Sequence, residues 1–431
     1  MRISHARRYA LGVAMLAGCG GGNNASSNAP MSLAPLVDAP SPFAPSANRY
    51  KVLHSFGSGA DGRDPVAALT IFKGALYGTT TSGGSGCGSE GCGTVFEITT
   101  SGAEHAIYRF QGEKKGADPA ASVIAVKGVL YGSTYLGGSY NAGTFFGITP
   151  AGKLTVFYGL PGCYNACGPV ARLTLLSGEL YGTTLSGGGG GTSKCEPQPR
   201  NPGRALGQLS KVYRYWCGTV FRLTTSGQET LVYAFQGGSN GAHPASELIA
   251  LDGSLFGTTE HDGANNAGTV FTVTPAGAQN VLYSFQGGND GDLPFAGLLD
   301  VKGTLYGTTA FGGSGDAGTV FKITSSGQES VLYSFKADSG DGENPQAGLI
   351  NVNGTLYGTT VDGGANCGSV GCGTVFAITT SGKETVLHNF KGYPRDGNSP
   401  YAGLINVDGT LYGTTTYGGA NNEGTVFSIS P

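Results

Sequence analysis

The sequence predicts an all-β fold, a seven-bladed β-propeller with four antiparallel strands per blade, and three observations carry that prediction. A stretch seen most plainly as LYGTTAFGGSGDAGTVFKITSSGQESVLYSF at 305–335 recurs along the chain in seven copies, and internal repetition governs architecture before any other signal. The copies recur at roughly 50 residues, room for four strands and more than one coil of a β-helix uses. The chain holds 78 Gly among 431 residues and only 12% charged residues, about half the usual charged share, as short strands joined by tight turns require.

The N-terminus comes before the repeats. Arg2, Arg7 and Arg8 precede an apolar run at 9–18 that is too short to span a bilayer and fits the central region of a secretory signal, residues 1–18. The run ends in Leu16-Ala17-Gly18-Cys19, which resembles the bacterial lipobox. That resemblance implies acylation of Cys19, and Gly20 in place of Asp after it implies the outer membrane. The other reading is an ordinary signal peptide whose cleavage site contains Cys. Residues 19–48 are Gly, Asn, Ser, Ala and Pro with almost no charge, too apolar-poor to offset ordering entropy, so they form a flexible tether to a domain at 49–431.

Each repeat contains four elements of four to eight residues, rich in Val, Ile, Phe, Tyr and Thr and bounded by turn residues. One opens with Pro and a small residue two places on, at Pro65, Pro119, Pro169, Pro244, Pro294, Pro345 and Pro400. The second is LYG, at Leu76, Leu130, Leu180, Leu255, Leu305, Leu356 and Leu411. The third is GTVF, at Gly93, Gly143, Gly218, Gly268, Gly318, Gly373 and Gly424. The fourth is VLYSF, at Val52, Ala106, Val156, Leu231, Val281, Val331 and Val386. Small residues suit the crowded axis and Pro suits a strand's first position, so the Pro element is innermost and VLYSF outermost. The copy at Val52 has no blade of its own, and the chain ends on GTVFSIS. The N-terminal strand therefore completes the seventh blade, closing the ring and removing open sheet edges.

On LYGTT, GTVF and VLYSF, the region from Val52 onward resembles the tandem "GloVer" repeats of bacterial choice-of-anchor exported proteins. The resemblance implies export and an anchor, and implies no established reaction. A looser likeness to quinoprotein propellers lacks their motif's Trp, with Tyr or Phe in its place, and no cofactor is expected.

Setting Cys19 aside, eight cysteines fall into local pairs: Cys87 with Cys92, Cys163 with Cys167, Cys195 with Cys217, and Cys367 with Cys372. An even count in an exported chain reads as disulfides. No His completes these pairs into a zinc set, and no metal is expected there. The formal charge of -3 gives no electrostatic case for nucleic acid. A monomer is expected.

Candidate functional residues concentrate on one face, where the loops between blades meet the loops joining second and third strands. Asp-Gly turns at Asp61, Asp290, Asp341 and Asp396 lead toward the next Pro and read as turn chemistry, with calcium ligation as the alternative. Between Thr184 and Gly218 the second-to-third-strand loop is over thirty residues long, a 185–217 insertion on the side of the repeat where insertions mark binding faces. It carries Lys194, Arg200, Arg204, Lys211 and Arg214 against Glu196, with Tyr213, Tyr215 and Trp216 beside them. Arg200, Arg204, Tyr213, Arg214, Tyr215 and Trp216 are thus candidate ligand contacts for a glycan or an acidic polymer; a plain surface insertion is the alternative. The propeller histidines His54, His105, His243, His261 and His388 look scattered, and His54 and His388 stand where VLYSF has Tyr, as packing substitutions. His261 with Glu260 and Asp262 is the compact acid-base cluster, but no nucleophile motif accompanies it. The sequence favours a non-catalytic envelope binding or scaffold module with a glycan or protein ligand. The alternative is a carbohydrate-active or other hydrolytic enzyme with its site at the central funnel.

Overall fold

The computed structural model describes residues 50–57, 59–163, 165–188, 217–336, 340–365, 367–368 and 370–431. Seven four-stranded antiparallel sheets follow one another along the chain. The first blade contains Thr70–Phe72, Ala75–Thr80, Thr94–Ile98 and Glu104–Arg109, in spatial order from the inside outward. Innermost strands of neighbouring blades touch, that of blade 1 meeting those of blades 2 and 7, which fixes them at the axis.

The ring closes as the spare N-terminal strand requires. Tyr50–Ser55 pairs with Thr425–Ile429, from Tyr50 opposite Ile429 to Ser55 opposite Thr425. Thr414 Oγ1 then donates to the Ala67 carbonyl at 3.2 Å, joining blade 7 to blade 1.

The repeat letters are explained by the contacts they make. In LYGTT of blade 6, Gly358 lies opposite Phe376 of GTVF. A Cβ at Gly358 would stand 2.6 Å from the Phe376 ring, so only glycine leaves room for that side chain. Thr360 exchanges a hydroxyl hydrogen bond with Thr374 at 2.9 Å. Thr359 reaches out of its blade to the Ala402 carbonyl at 3.1 Å, the same bond that Thr79, Thr258 and Thr308 make to Ala121, Ala296 and Ala347. Phe335, at the end of the outermost strand of blade 5, packs edge-on against Phe376 of blade 6 with centroids 5.2 Å apart. Such rings, with Leu298, Leu305 and their counterparts, make the core a series of layers between blades.

Blade 2 departs from the repeat and repairs itself. Leu160 ends its outermost strand where the other blades have Phe, and its GTVF reads GTFF. The extra ring, Phe145, packs on Phe221 of blade 3 at 4.8 Å and fills the gap.

The innermost element differs from expectation in one respect. Strand pairing covers only its last three residues, as in Thr70–Phe72, and Pro-x-Ala precedes the ladder. Pro has no N–H to donate, and the residue before it takes a positive φ in the blades that place Asp64 (56°), Asp118 (61°) or Asn344 (62°) there. The chain bends at this point, and the Ala carbonyl is held by the neighbouring blade's Thr instead.

Candidate functional site

In every blade the loop entering from the previous blade pairs with the loop joining second to third strand. Four blades do so as two-residue ribbons, such as Ala166–Cys167 with Ser186–Gly187. Three do so as single bridges: Ala117 with Leu136, Ala242 with His261, and Asp292 with Phe311. Both loop sets therefore share one face, at the rim of the innermost strands.

The insertion springs from this face, next to the Ala166–Cys167 ribbon. Its contact residues Arg200, Arg204, Tyr213, Arg214, Tyr215 and Trp216 lie outside the described residues, as do Cys195 and Cys19. The disulfides Cys87–Cys92, Cys163–Cys167 and Cys367–Cys372 are formed. Cys217 is disulfide-bonded as well, with its expected partner outside the described residues.

The pairing of loops juxtaposes two side chains in a recurring way: the residue before Pro and one from the far side of the second strand. In blade 6 Asn344 donates to Asp362 at 3.1 Å; in blade 1 Ser82 hydrogen-bonds Asp64. Blade 4 puts His243 and His261 in these places, with ring centroids 5.3 Å apart and planes at 80°. Glu260 lies between strand and loop with its carboxylate 3.8 Å from His261 Nε2. The backbone holds all three: His243 N–H donates to the Cys217 carbonyl at 2.8 Å, Glu260 N–H to His243 at 3.1 Å, and His261 N–H to Ala242 at 3.1 Å. His243 adopts a φ of 58°, a region that costs a β-carbon residue about 1 kcal/mol and is held by its surroundings. Burial pushes the Glu260 carboxyl up to about 8.

This corrects the cluster expected from sequence. Asp262 turns aside and accepts the Gly238 N–H at 3.1 Å, while His243, remote in sequence, takes its place beside Glu260 and His261. Comparing the blades position by position would have found it, since the other blades carry none of these three residues there. The rim also carries Asp118, whose carboxyl is pushed up to about 7 by burial and then by the charge of Asp64.

The Asp-Gly carboxylates are committed to donors of the protein. Asp341 accepts from Tyr333 Oη at 2.9 Å, Lys336 N at 3.0 Å and Gly342 N at 2.8 Å. Asp290 takes Tyr283 and Gln286 N in the same way. His388 reaches Asp396 at 3.1 Å and His54 reaches Asp61 at 3.4 Å. These two histidines replace Tyr in both of its roles: they pack edge-on against Phe56 and Phe390, as the sequence suggested, and they are polar partners of the turn as well.

A family model described as the Gloeobacter/Verrucomicrobia repeat matches residues 42–195 and 300–431. The chain belongs to this repeat family. No curated protein matches it. Among solved structures, the WD40 β-propeller domain of Doa1 is similar at 12% identity over 88% of this chain and 96% of that one, TM-score 0.51, which shows the fold alone. PorZ, a surface component of the type-IX secretion system of Porphyromonas gingivalis, aligns at 13% identity over 85% of this chain and 46% of its own, TM-score 0.49. The gluconolactonase XC5397 of Xanthomonas campestris aligns at 13% identity over 70% and 89%, TM-score 0.37. Among the described residues no helix is long and apolar enough to cross a membrane.

Proposed function

We propose that this repeat propeller is an exported binding module of the bacterial envelope, tethered to the outer membrane by a lipid on Cys19, that recognises its ligand without chemistry. The observation that carries the reading is the root of the insertion: Cys217, at its C-terminal end, accepts a hydrogen bond from His243 on the rim of the channel face. An insertion of over thirty residues with Arg200, Arg204, Tyr213, Arg214, Tyr215 and Trp216 leaves and rejoins the repeat at this face. Guanidinium groups match carboxylates and sulfates, and aromatic rings stack on sugar faces. An acidic glycan fits that composition better than a neutral one, and an envelope protein with an acidic patch is the other candidate. The test is an array of glycans and envelope polymers probed with wild type and a Trp216→Ala, Arg214→Ala double variant. Binding by the wild type that the variant loses supports the reading; equal binding by both, or none by the wild type, refutes it.

A second reading rests on the His243, Glu260 and His261 cluster, which offers acid-base groups at the funnel mouth for a hydrolytic enzyme. Consumption of an array ligand, abolished in a His261→Ser variant, is the result that favours it.

A further inference from the structure

We propose that His243, Glu260 and His261 bind one divalent transition-metal ion of the zinc class at the rim of the innermost strands. Each residue offers one ligand atom, two imidazole nitrogens and a carboxylate oxygen, and these atoms all lie within 4.8 Å of one another. Three ligands on one tetrahedral ion with bonds near 2.0 Å sit roughly 3.3 Å apart. The His261 to Glu260 separation of 3.8 Å is somewhat longer than that spacing, a gap that a small side-chain rotation closes.

Two further observations point the same way. The juxtaposition is built by backbone: the bridge between Ala242 and His261 and the bond from Glu260 N–H to the His243 carbonyl hold the segments together before any side chain acts. The Glu260 side chain is only 11% exposed while that of His261 is 40% exposed. A carboxylate in that position is largely withdrawn from water. Buried carboxylates are ordinarily paired or coordinate a metal. The 40% exposure of His261 leaves the site accessible to solvent, so a bound ion can keep a position for water.

Donor type sets the class of ion. Two imidazoles with one carboxylate suit zinc and its first-row neighbours, whereas calcium and magnesium prefer oxygen shells. The open position would take water or an anionic oxygen of a bound ligand, such as a sugar carboxylate.

The other blades supply conservative test residues. Asn344, Ala310 and Ser82 occupy the places of His243, Glu260 and His261 in blades 6, 5 and 1, so His243→Asn, Glu260→Ala and His261→Ser each install a side chain the repeat already accepts. The full chain, stripped with chelator, is titrated with Zn2+ by calorimetry and with Co2+ by visible absorption. Expected are one ion per chain at micromolar affinity or tighter, a cobalt spectrum of a low-coordinate nitrogen and oxygen site, and a melting temperature raised by Zn2+. The triple variant should melt as wild type does without metal and bind Zn2+ at least about 100-fold more weakly; the single exposed variant His261→Ser should weaken it about tenfold or more. Absence of a stoichiometric ion in the wild type overturns the site, and so does undiminished binding in the variants.

Discussion

The Tyr333 hydroxyl donates to Asp341 at 2.9 Å, joining the outermost strand of blade 5 to the turn that enters blade 6. The same carboxylate receives Lys336 N and Gly342 N, and the motif recurs as Tyr283 with Asp290 and His388 with Asp396. An Asp-Gly turn in this chain is therefore a tie between blades as well as a bend. Asp341→Ala leaves a Tyr hydroxyl and two backbone donors without their acceptor, and we expect a loss of about 3 kcal/mol in urea unfolding. Asp341→Asn, which keeps one acceptor oxygen, should lose less.

Stability should fall at alkaline pH for a reason visible beside these ties. Burial, and then the charge of Asp341, pushes the Glu384 carboxyl up to about 8; burial, and then the charge of Asp61, pushes Glu104 up to about 7. A carboxyl whose folded pKa lies above its unfolded one favours the fold fully below the unfolded value, and that benefit is lost as pH rises through the folded value. Asp61 and Asp396 behave oppositely. Their burial is outweighed by hydrogen bonds from His54 and His388 among others, which hold both below the ordinary carboxyl range. Their contribution is lost only as pH falls beneath that range. Melting temperature should therefore be higher at about pH 5.5 than at about pH 9, and Glu384→Gln should reduce the difference. Blade 4 already carries the neutral form of this position, Gln279.

The Phe ladder between blades gives a third expectation. Phe335 is fully buried against Phe376, and Phe335→Ala should cost about 3–5 kcal/mol by cavity formation. In blade 2, Phe145→Val restores the repeat's own residue yet removes the ring that packs on Phe221. It should destabilise alone and be relieved by Leu160→Phe, a coupling readable in a double-mutant cycle.

Ring closure can be tested on one hydroxyl. Thr414→Val deletes the bond to the Ala67 carbonyl and leaves that buried acceptor bare, for a cost of about 1–3 kcal/mol. Thr359→Val deletes the equivalent bond to Ala402 inside the ring. If the closing contact is an ordinary blade contact, chemical denaturation should give the two variants similar losses.

Blade number, strand order and the closing strand were legible because each repeat states the same four strands, and errors in one copy are corrected by the others. What was less legible depends on contacts between copies. That Thr359 bonds the next blade's Ala carbonyl, or that Pro-x-Ala lies before the ladder, is set by a neighbour some forty residues away. His243 and His261 meet through a single bridge between loops of different length, and turn chemistry within either loop gives no sign of it. His54 and His388 were legible as packing substitutions, but not as polar partners, because their Asp partners lie in the following turn.

The central claim is that ligand binds the face carrying the insertion. Hydrogen exchange of the full chain with and without the strongest ligand from the array tests it most directly. The account predicts added protection at 185–188, 217–218, 240–244 and 260–263, all on that face. Protection confined instead to the opposite turns, Lys73-Gly74, Asp252-Gly253 and Asn353-Gly354, would contradict it.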